Sequence, residues 1–160
     1  MASKEYMSAR MAKGANLALL PGGFEEATLY KRDAFRVYIR KRTGFLVYAL
    51  RFGYKIYPSF CFGEERTYYT LGLDSLTPFC LWLNSFKFPT VCFVGKFGLM
   101  PSPHQHLVTV IGPPLQLPKI ERPTAADVEK YHQLYCKALL ELFDRHKAKY
   151  GAADKTLELF

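Results

Sequence analysis

Residues 21–26 read PGGFEE, the part of this sequence with the most chemical content. Two adjacent glycines, Gly22 and Gly23, let a backbone turn sharply and come close to a ligand. A helix starting there would aim its first amides at that ligand and favour negative charge. Glu25 and Glu26 would then sit in its first turn. A glycine pair is a weak signal by itself, and spacing alone supports only a turn followed by two carboxylates that complement a helix dipole. Residues 61–66, CFGEER, make a second turn of this kind, with Phe62, Gly63 and Glu64 at its head. Residues 31–55 carry eight cations (Lys31, Arg32, Arg36, Arg40, Lys41, Arg42, Arg51, Lys55) against one acid, Asp33, with Phe and Tyr between them. Such a run suits a phosphate-rich ligand, an anionic membrane surface or stacked single-stranded bases. Without further context it describes core aromatics alternating with a solvated basic face.

A hydroxyl-activating histidine needs a group to orient it, usually a carboxylate. None of His104, His106, His132 and His146 has an acid five residues later, and His132 and His146 are expected on a helix surface or stripe edge. The four cysteines, Cys61, Cys80, Cys92 and Cys136, are widely spaced with no C-x-x-C, and His132–Cys136 is a single helical pair. That is too little for a tetrahedral zinc site, so no metal is expected. Buried, reduced thiols are expected instead, as on a chain facing the cytosol.

The elements that must position these groups alternate between strand and helix, which gives an α/β class. Ser3 can cap a short helix to Lys13 that Gly14 ends. Residues 15–20 read as a buried strand entering the Pro-Gly-Gly turn. Residues 35–40 alternate with a period of two, as a strand does. Residues 44–52 suit a helix closed by Gly53, and residues 55–61 an extended segment in which Pro58 implies an edge or a bulge. Residues 67–103 are the least legible, with a strand at 91–94 and a loop around Pro101, Pro103 and His104. Residues 107–111 form a β-branched strand stopped by Gly112-Pro113-Pro114. The clearest element is a long C-terminal helix. Thr124 caps it with Asp127 three residues on, and Val128, Tyr131, Tyr135, Ala138, Leu139 and Leu142 make one apolar stripe before Gly151 stops it.

At 160 residues, with 21 Gly plus Pro and 49% hydrophobic side chains, the chain suits a single globular domain. That excludes collagen, a flexible linker and an acidic disordered tail. The net charge of +8 points to an anionic partner. Lys4, Glu5, Arg10 and Lys13 leave no apolar core for a signal peptide. The most apolar stretch, 79–94, is broken by Asn84, Ser85, Lys87 and Pro89, so no spanning helix is expected.

Taken together, six segments in order resemble the type-2 diacylglycerol acyltransferase family, which includes monoacylglycerol acyltransferases and wax synthases. They are LLPGGFEEA (19–27), RKRTGF (40–45), YPSFCFGEE (57–65), VTVIGPPLQLP (108–118), PTAADVEKYHQLYCKAL (123–139) and LFDRHKAKYG (142–151). Gly22, Gly23 and Glu26 match the family's GGxxE, Arg42, Gly44 and Phe45 its RxGF, and Phe62, Gly63 and Glu64 its FGE.

The resemblance implies these nine as substrate-binding residues, with diglycine bend, RTGF corner and FGE turn facing one cleft. It implies a partial glycerolipid-acyltransferase-like sheet with flanking helices, spanning residues 1–160 as one partial domain. It also implies a membrane enzyme of the endoplasmic reticulum, cytosolic face, or of lipid droplets. Such an enzyme transfers a fatty acyl group from acyl-CoA, a substrate rather than a cofactor, to a glyceride or fatty-alcohol hydroxyl. The family's HPHG motif and hydrophobic N-terminal hairpin do not occur in these residues, and its HGRG-like segment reads VGKFG at 94–98. The resemblance is therefore to the C-terminal half, with substrate binding but no turnover by this chain alone. A second reading is a non-catalytic module that binds lipid or membrane surfaces. Nucleic-acid recognition motifs are absent, and no nucleic-acid partner is expected.

Overall fold

A computed structural model describes residues 4–71, 76–84, 86, 90, 92–98, 100–103 and 105–160. In chain order they form α1 (Lys4–Ala12), α2 (Phe24–Leu29), β1 (Phe35–Val37), α3 (Gly44–Phe52), β2 (Lys55–Ile56), β3 (Ser59–Phe62), a 3-10 turn (Glu64–Arg66) and β4 (Tyr69–Leu71). They continue with α4 (Thr77–Asn84), β5 (Cys92–Val94), β6 (Val108–Ile111), β7 (Leu115–Gln116), α5 (Ala125–His146) and β8 (Leu157–Leu159).

 The α/β class and the long C-terminal helix stand as expected.

Helix α5 is the spine of the molecule. The Thr124 side chain accepts from the Asp127 amide at 3.2 Å, and the Asp127 carboxylate accepts from the Thr124 amide at 2.9 Å, a complete capping box. The Thr124 hydroxyl, which also donates to Asp127 Oδ2 at 2.7 Å, and then the Thr124 amide hold the Asp127 carboxyl below its ordinary pKa. The inward face of α5 serves two cores. Leu139, Leu142 and Phe143 join Phe35, Phe62, Val110, Ala152 and Leu157, while Val128 joins Leu46, Ala49, Leu50 and Leu117. Phe143 is wholly buried, with ring centroids 5.0, 5.2 and 5.5 Å from those of Phe35, Phe60 and Phe62. Two expectations about this helix are corrected. His132 is buried rather than at the stripe's edge, because its Nε2 donates to the Ile39 carbonyl at 3.0 Å and so satisfies the ring inside the core. The helix ends at His146, and Gly151 (φ 76°) lies in the turn that follows.

Helix α3 has the expected bounds, closed by Gly53 at φ 67° in the left-handed region. Helix α1 ends one residue before Lys13, and the expected cap at Ser3 lies outside the described residues. The Tyr54 hydroxyl donates to the carbonyls of Met11 and Ala15, which ties α1 to the end of α3.

The strands pair two by two rather than in one sheet among the described residues: β1 with β8 in parallel, and β2 with β7, β3 with β6 and β4 with β5 antiparallel. Two of these pairs form one interrupted ladder. Ile56 faces Leu115 and Ser59 faces Ile111, so residues 57–58 oppose residues 112–114, with Gly112 donating to the Pro58 carbonyl at 2.8 Å. Pro58 therefore marks the expected irregularity. The strand expected at 35–40 stops at Val37, because the amides of Ile39 and Arg40 both turn to the Phe160 carbonyl.

The buried strand expected at 15–20 does not form. Leu17 and Leu19 are exposed and Leu20 is 99% exposed, with no ladder partner among the described residues. An apolar run becomes a buried strand only where another element covers it, which the pattern of one segment cannot reveal. Residues 92–94 of the expected 91–94 strand form β5, while Val91 and His104 lie outside the described residues. Cys61, Cys80 and Cys136 are free thiols, half-buried rather than fully buried.

Candidate functional site

A cavity of about 550 Å³ opens between the diglycine bend, β1, β3 and α5. Its size falls within the range of small-molecule sites. Gly23, Glu26 and Glu64 line it, with Phe60, Tyr135 and Leu139 among its apolar walls.

The bend is built from two glycines with different roles. Gly23, at φ 91°, is the N-cap of α2 in a backbone region that L side chains rarely adopt. Gly22 needs its missing side chain for space, because the Glu26 carboxylate folds back onto the volume that a Cβ would fill. Burial raises the Glu26 pKa, and the nearby Glu64 charge adds to the rise. A hydrogen bond from the Tyr38 backbone and the Arg42 charge oppose it. Arg42 closes the bend from the RTGF corner. Its Nη2 lies 2.6 Å from Glu25 Oε2 and donates to the Gly22 carbonyl at 3.1 Å. Its Nε is buried without a hydrogen-bond partner among the described residues.

The FGE turn supplies the opposite border. Gly63 sits at φ 94°, where a Cβ would collide with the His106 carbonyl, so this position also requires glycine. Its amide donates to Glu65 Oε2 at 2.8 Å, and the buried Glu65 pairs with Arg66 at 3.4 Å. The Tyr30 hydroxyl donates to the Glu64 carbonyl at 2.9 Å, anchoring this turn to the residue that follows α2.

The structure thus gathers Gly22, Gly23, Glu26, Arg42 and Glu64 at or against one cleft. The other four stand apart from its lining. Gly44 opens α3 at the surface, Phe62 is in the core, and Gly63 borders a separate cavity of about 270 Å³. Phe45 packs edge-on against Tyr135 at 5.3 Å, and so buttresses the cleft from behind. Tyr135 lines the cleft although its place on the α5 stripe has the spacing of a core residue. Burial, the neighbouring Cys136 and Glu26 push its hydroxyl up to about 12. Burial also raises the Cys136 thiol.

None of the described histidines lines the larger cavity. His132 is held by Ile39, His146 Nδ1 donates to the Leu142 carbonyl at 2.9 Å, and His106 borders the smaller cavity beside Glu65 and Arg66. Four arginines of the basic run are engaged within the fold, while Lys41, Arg51 and Lys55 are exposed. Besides Arg42, Arg32 donates to the Arg66 carbonyl, Arg36 pairs with Glu158 at 3.1 Å, and Arg40 donates to the Leu159 carbonyl. It is not one continuous solvated face. No helix among the described residues is long and apolar enough to cross a membrane.

A family profile described as "Diacylglycerol acyltransferase" matches residues 2–160. The chain is 36% identical to diacylglycerol O-acyltransferase 2-like protein 6 of Mus musculus, covering 91% of this chain and 47% of that protein. It is 34% identical to acyl-CoA wax alcohol acyltransferase 2 of Mus musculus, covering 95% of this chain and 48% of that protein. Diacylglycerol O-acyltransferase 2 of Bos taurus is 30% identical, over 92% of this chain and 44% of that protein. The chain spans about half the length of these curated relatives. No solved structure matches it. With residues 2–160 matched by the family profile, the chain belongs to the diacylglycerol acyltransferase family.

Proposed function

We propose that this chain forms the substrate-binding part of an acyl-CoA-dependent O-acyltransferase of neutral-lipid synthesis. The acyl group passes from coenzyme A to the hydroxyl of a mono- or diacylglycerol or a fatty alcohol, at the cytosolic face of the endoplasmic reticulum or on a lipid droplet. The observation that carries this reading is that Glu26 and Glu64, from two separate motif segments, line one cavity, while Arg42 from a third braces the bend that borders it. In this reading the paired strands belong to a glycerolipid-acyltransferase-like sheet.

The reaction requires three events. A base takes the acceptor hydroxyl's proton, the oxygen attacks the thioester carbonyl, and the coenzyme A thiolate leaves as the new ester forms. Donors aimed at the developing oxyanion supply much of the acceleration. In this chain Gly22 and Gly23 provide close backbone approach, Arg42 holds the bend, and the Glu26 carboxyl orients the acceptor hydroxyl. No histidine among the described residues lines the cleft, and in this reading the chain binds acyl-CoA without turning it over.

Titration calorimetry with a non-hydrolysable acyl-CoA thioether tests the binding half. Saturable one-site binding is expected, weakened about tenfold or more in Arg42→Ala, equivalent to about 1.4 kcal/mol. No saturable binding, or equal affinity in the variant, overturns the reading. Labelled acyl-CoA with diacylglycerol tests the other half. No triacylglycerol is expected, and steady product formation would place the base among the chain's own histidines, with His106 the first to substitute.

A further inference from the structure

Helix α4 carries no charged side chain, yet its aromatic residues face outward. Phe79 is 56%, Trp82 57% and the following Phe86 64% exposed. Their rings form a continuous cluster: Phe79 stacks on Trp82 with centroids 5.8 Å apart, and Phe86 meets Trp82 edge-on at 5.1 Å. A soluble surface rarely spends three adjacent aromatics on water unless something covers them. Their opposite anchor is polar. Asn84 is buried and donates to the Thr28 hydroxyl of α2 at 2.6 Å, and Thr90 donates to Asn84 Oδ1 at 2.9 Å. The helix is thereby fixed to the element that carries Glu26, with its aromatic face outward.

Thr90 also leads into β5, whose continuation is a tight hairpin. The amides of Gly95 and Gly98 each donate to the other's carbonyl at 3.1 Å, leaving Lys96–Phe97 as its tip. Phe97 is 90% exposed at φ 54°, a backbone region costly for a bulky side chain, and Lys96 Nζ lies 5.2 Å from its ring centroid. An aromatic side chain beside a cation at a protruding tip suits the boundary between acyl chains and headgroups.

The charge pattern indicates what covers this surface. Residues 75–98, which hold α4 and the hairpin tip, contain no aspartate or glutamate, although the chain has 14 acids, and contain Lys87 and Lys96. A segment that is apolar, aromatic, free of acids and sparsely basic complements an anionic phospholipid surface. We propose that the outward face of α4 and the Lys96–Phe97 tip form the surface by which this chain docks on an anionic lipid bilayer. The contact is interfacial and does not span the bilayer. It also differs from the basic run at 31–55, of which Arg32, Arg36, Arg40 and Arg42 bond within the fold. Because α4 packs on α2, docking brings the candidate cleft toward lipid-dissolved substrates. The assignment does not depend on acyl-CoA binding by the cleft, so calorimetry and vesicle binding can fail separately.

Trp82 is the chain's single tryptophan, so its fluorescence reports on this surface. The test adds vesicles of phosphatidylcholine with phosphatidylserine to the full chain, with bromine-labelled lipid as a quencher. The expected result is a shift of Trp82 emission to shorter wavelength, quenching by the bromolipid, and co-flotation of the protein. Phe79→Ser/Phe86→Ser lowers the partition coefficient about tenfold or more, with an unchanged far-ultraviolet spectrum because both side chains are exposed. Lys96→Glu weakens binding to anionic vesicles and leaves the weaker binding to pure phosphatidylcholine unchanged. An unmoved Trp82 spectrum overturns the proposal. So does flotation that persists unchanged in the double variant, or an emission shift that follows protein concentration without lipid, which would indicate a second copy as the occupant.

Discussion

Glu26 lies over Gly22 with its carboxyl partly withdrawn from water and Glu64 nearby, and its pKa is raised above the ordinary 4.5. A carboxyl raised on folding binds more protons in the native state than in the unfolded one, so its ionisation costs stability as pH climbs. Its contribution is full below 4.5 and is lost as pH rises through the folded value. Glu26→Gln is expected to remove this loss, so its urea midpoint relative to the wild type is higher at neutral pH than at pH 4. Parallel pH curves for the two proteins would contradict the assignment. Asp127 has the opposite sign. Its lowered pKa contributes stability above 3.8 that disappears as pH falls, so the two groups act in different windows. Arg42→Lys keeps a charge near Glu25 but loses the planar fork that also reaches the Gly22 carbonyl. Urea denaturation should show a loss of about 1–2 kcal/mol, and an unchanged midpoint would show that Arg42 does not brace the bend. Gly22, Gly23 and Gly63 read in the sequence as turn glycines, and each has a local reason: Gly22 and Gly63 leave no room for a Cβ, and Gly23 sits at φ 91°. Tyr135 was not legible in this way, because an apolar-stripe position and a cleft wall have the same spacing.

Elements were legible where their reasons are local. The Thr124–Asp127 box and the left-handed Gly53 mark helix ends within a few residues, so α5 begins and α3 ends where the sequence indicates. Strands β7 and β8 depend on partners far along the chain and are only two and three residues long, too short for a periodic signal. Leu157–Leu159 pairs with Phe35–Val37, and the Phe160 carbonyl receives the Ile39 and Arg40 amides. The corner leading to Arg42 therefore rests on the last residues of the chain. Removing residues 156–160 is expected to abolish cooperative thermal unfolding or lower its midpoint steeply, and to weaken acyl-CoA binding with it. A truncated chain that melts like the wild type would show that β8 is dispensable. Thr124→Ala should cost about 1 kcal/mol through loss of the cap, read by chemical denaturation.

The whole molecule has two apolar clusters joined by one helix, with the cleft beside Tyr135 and Leu139 on that helix. Phe143, enclosed by Phe35, Phe60 and Phe62, fixes the larger cluster, and Phe143→Ala should destabilise the chain by about 3–5 kcal/mol. The exposed apolar run at 15–20 and the separate strand pairs could not be foreseen from hydrophobic pattern, which shows what seeks burial but not what provides it. The central claim is that the diglycine bend, the Arg42 corner and the FGE turn enclose an acyl-CoA site. The most direct test is photo-crosslinking the chain with an acyl-CoA that carries a diazirine in its acyl group, followed by peptide mass spectrometry. Label is predicted on peptides containing residues 19–27, 59–65 and 135–139, and excess unlabelled acyl-CoA should suppress it. Label confined to other parts of the chain, or unaffected by the competitor, would contradict the claim.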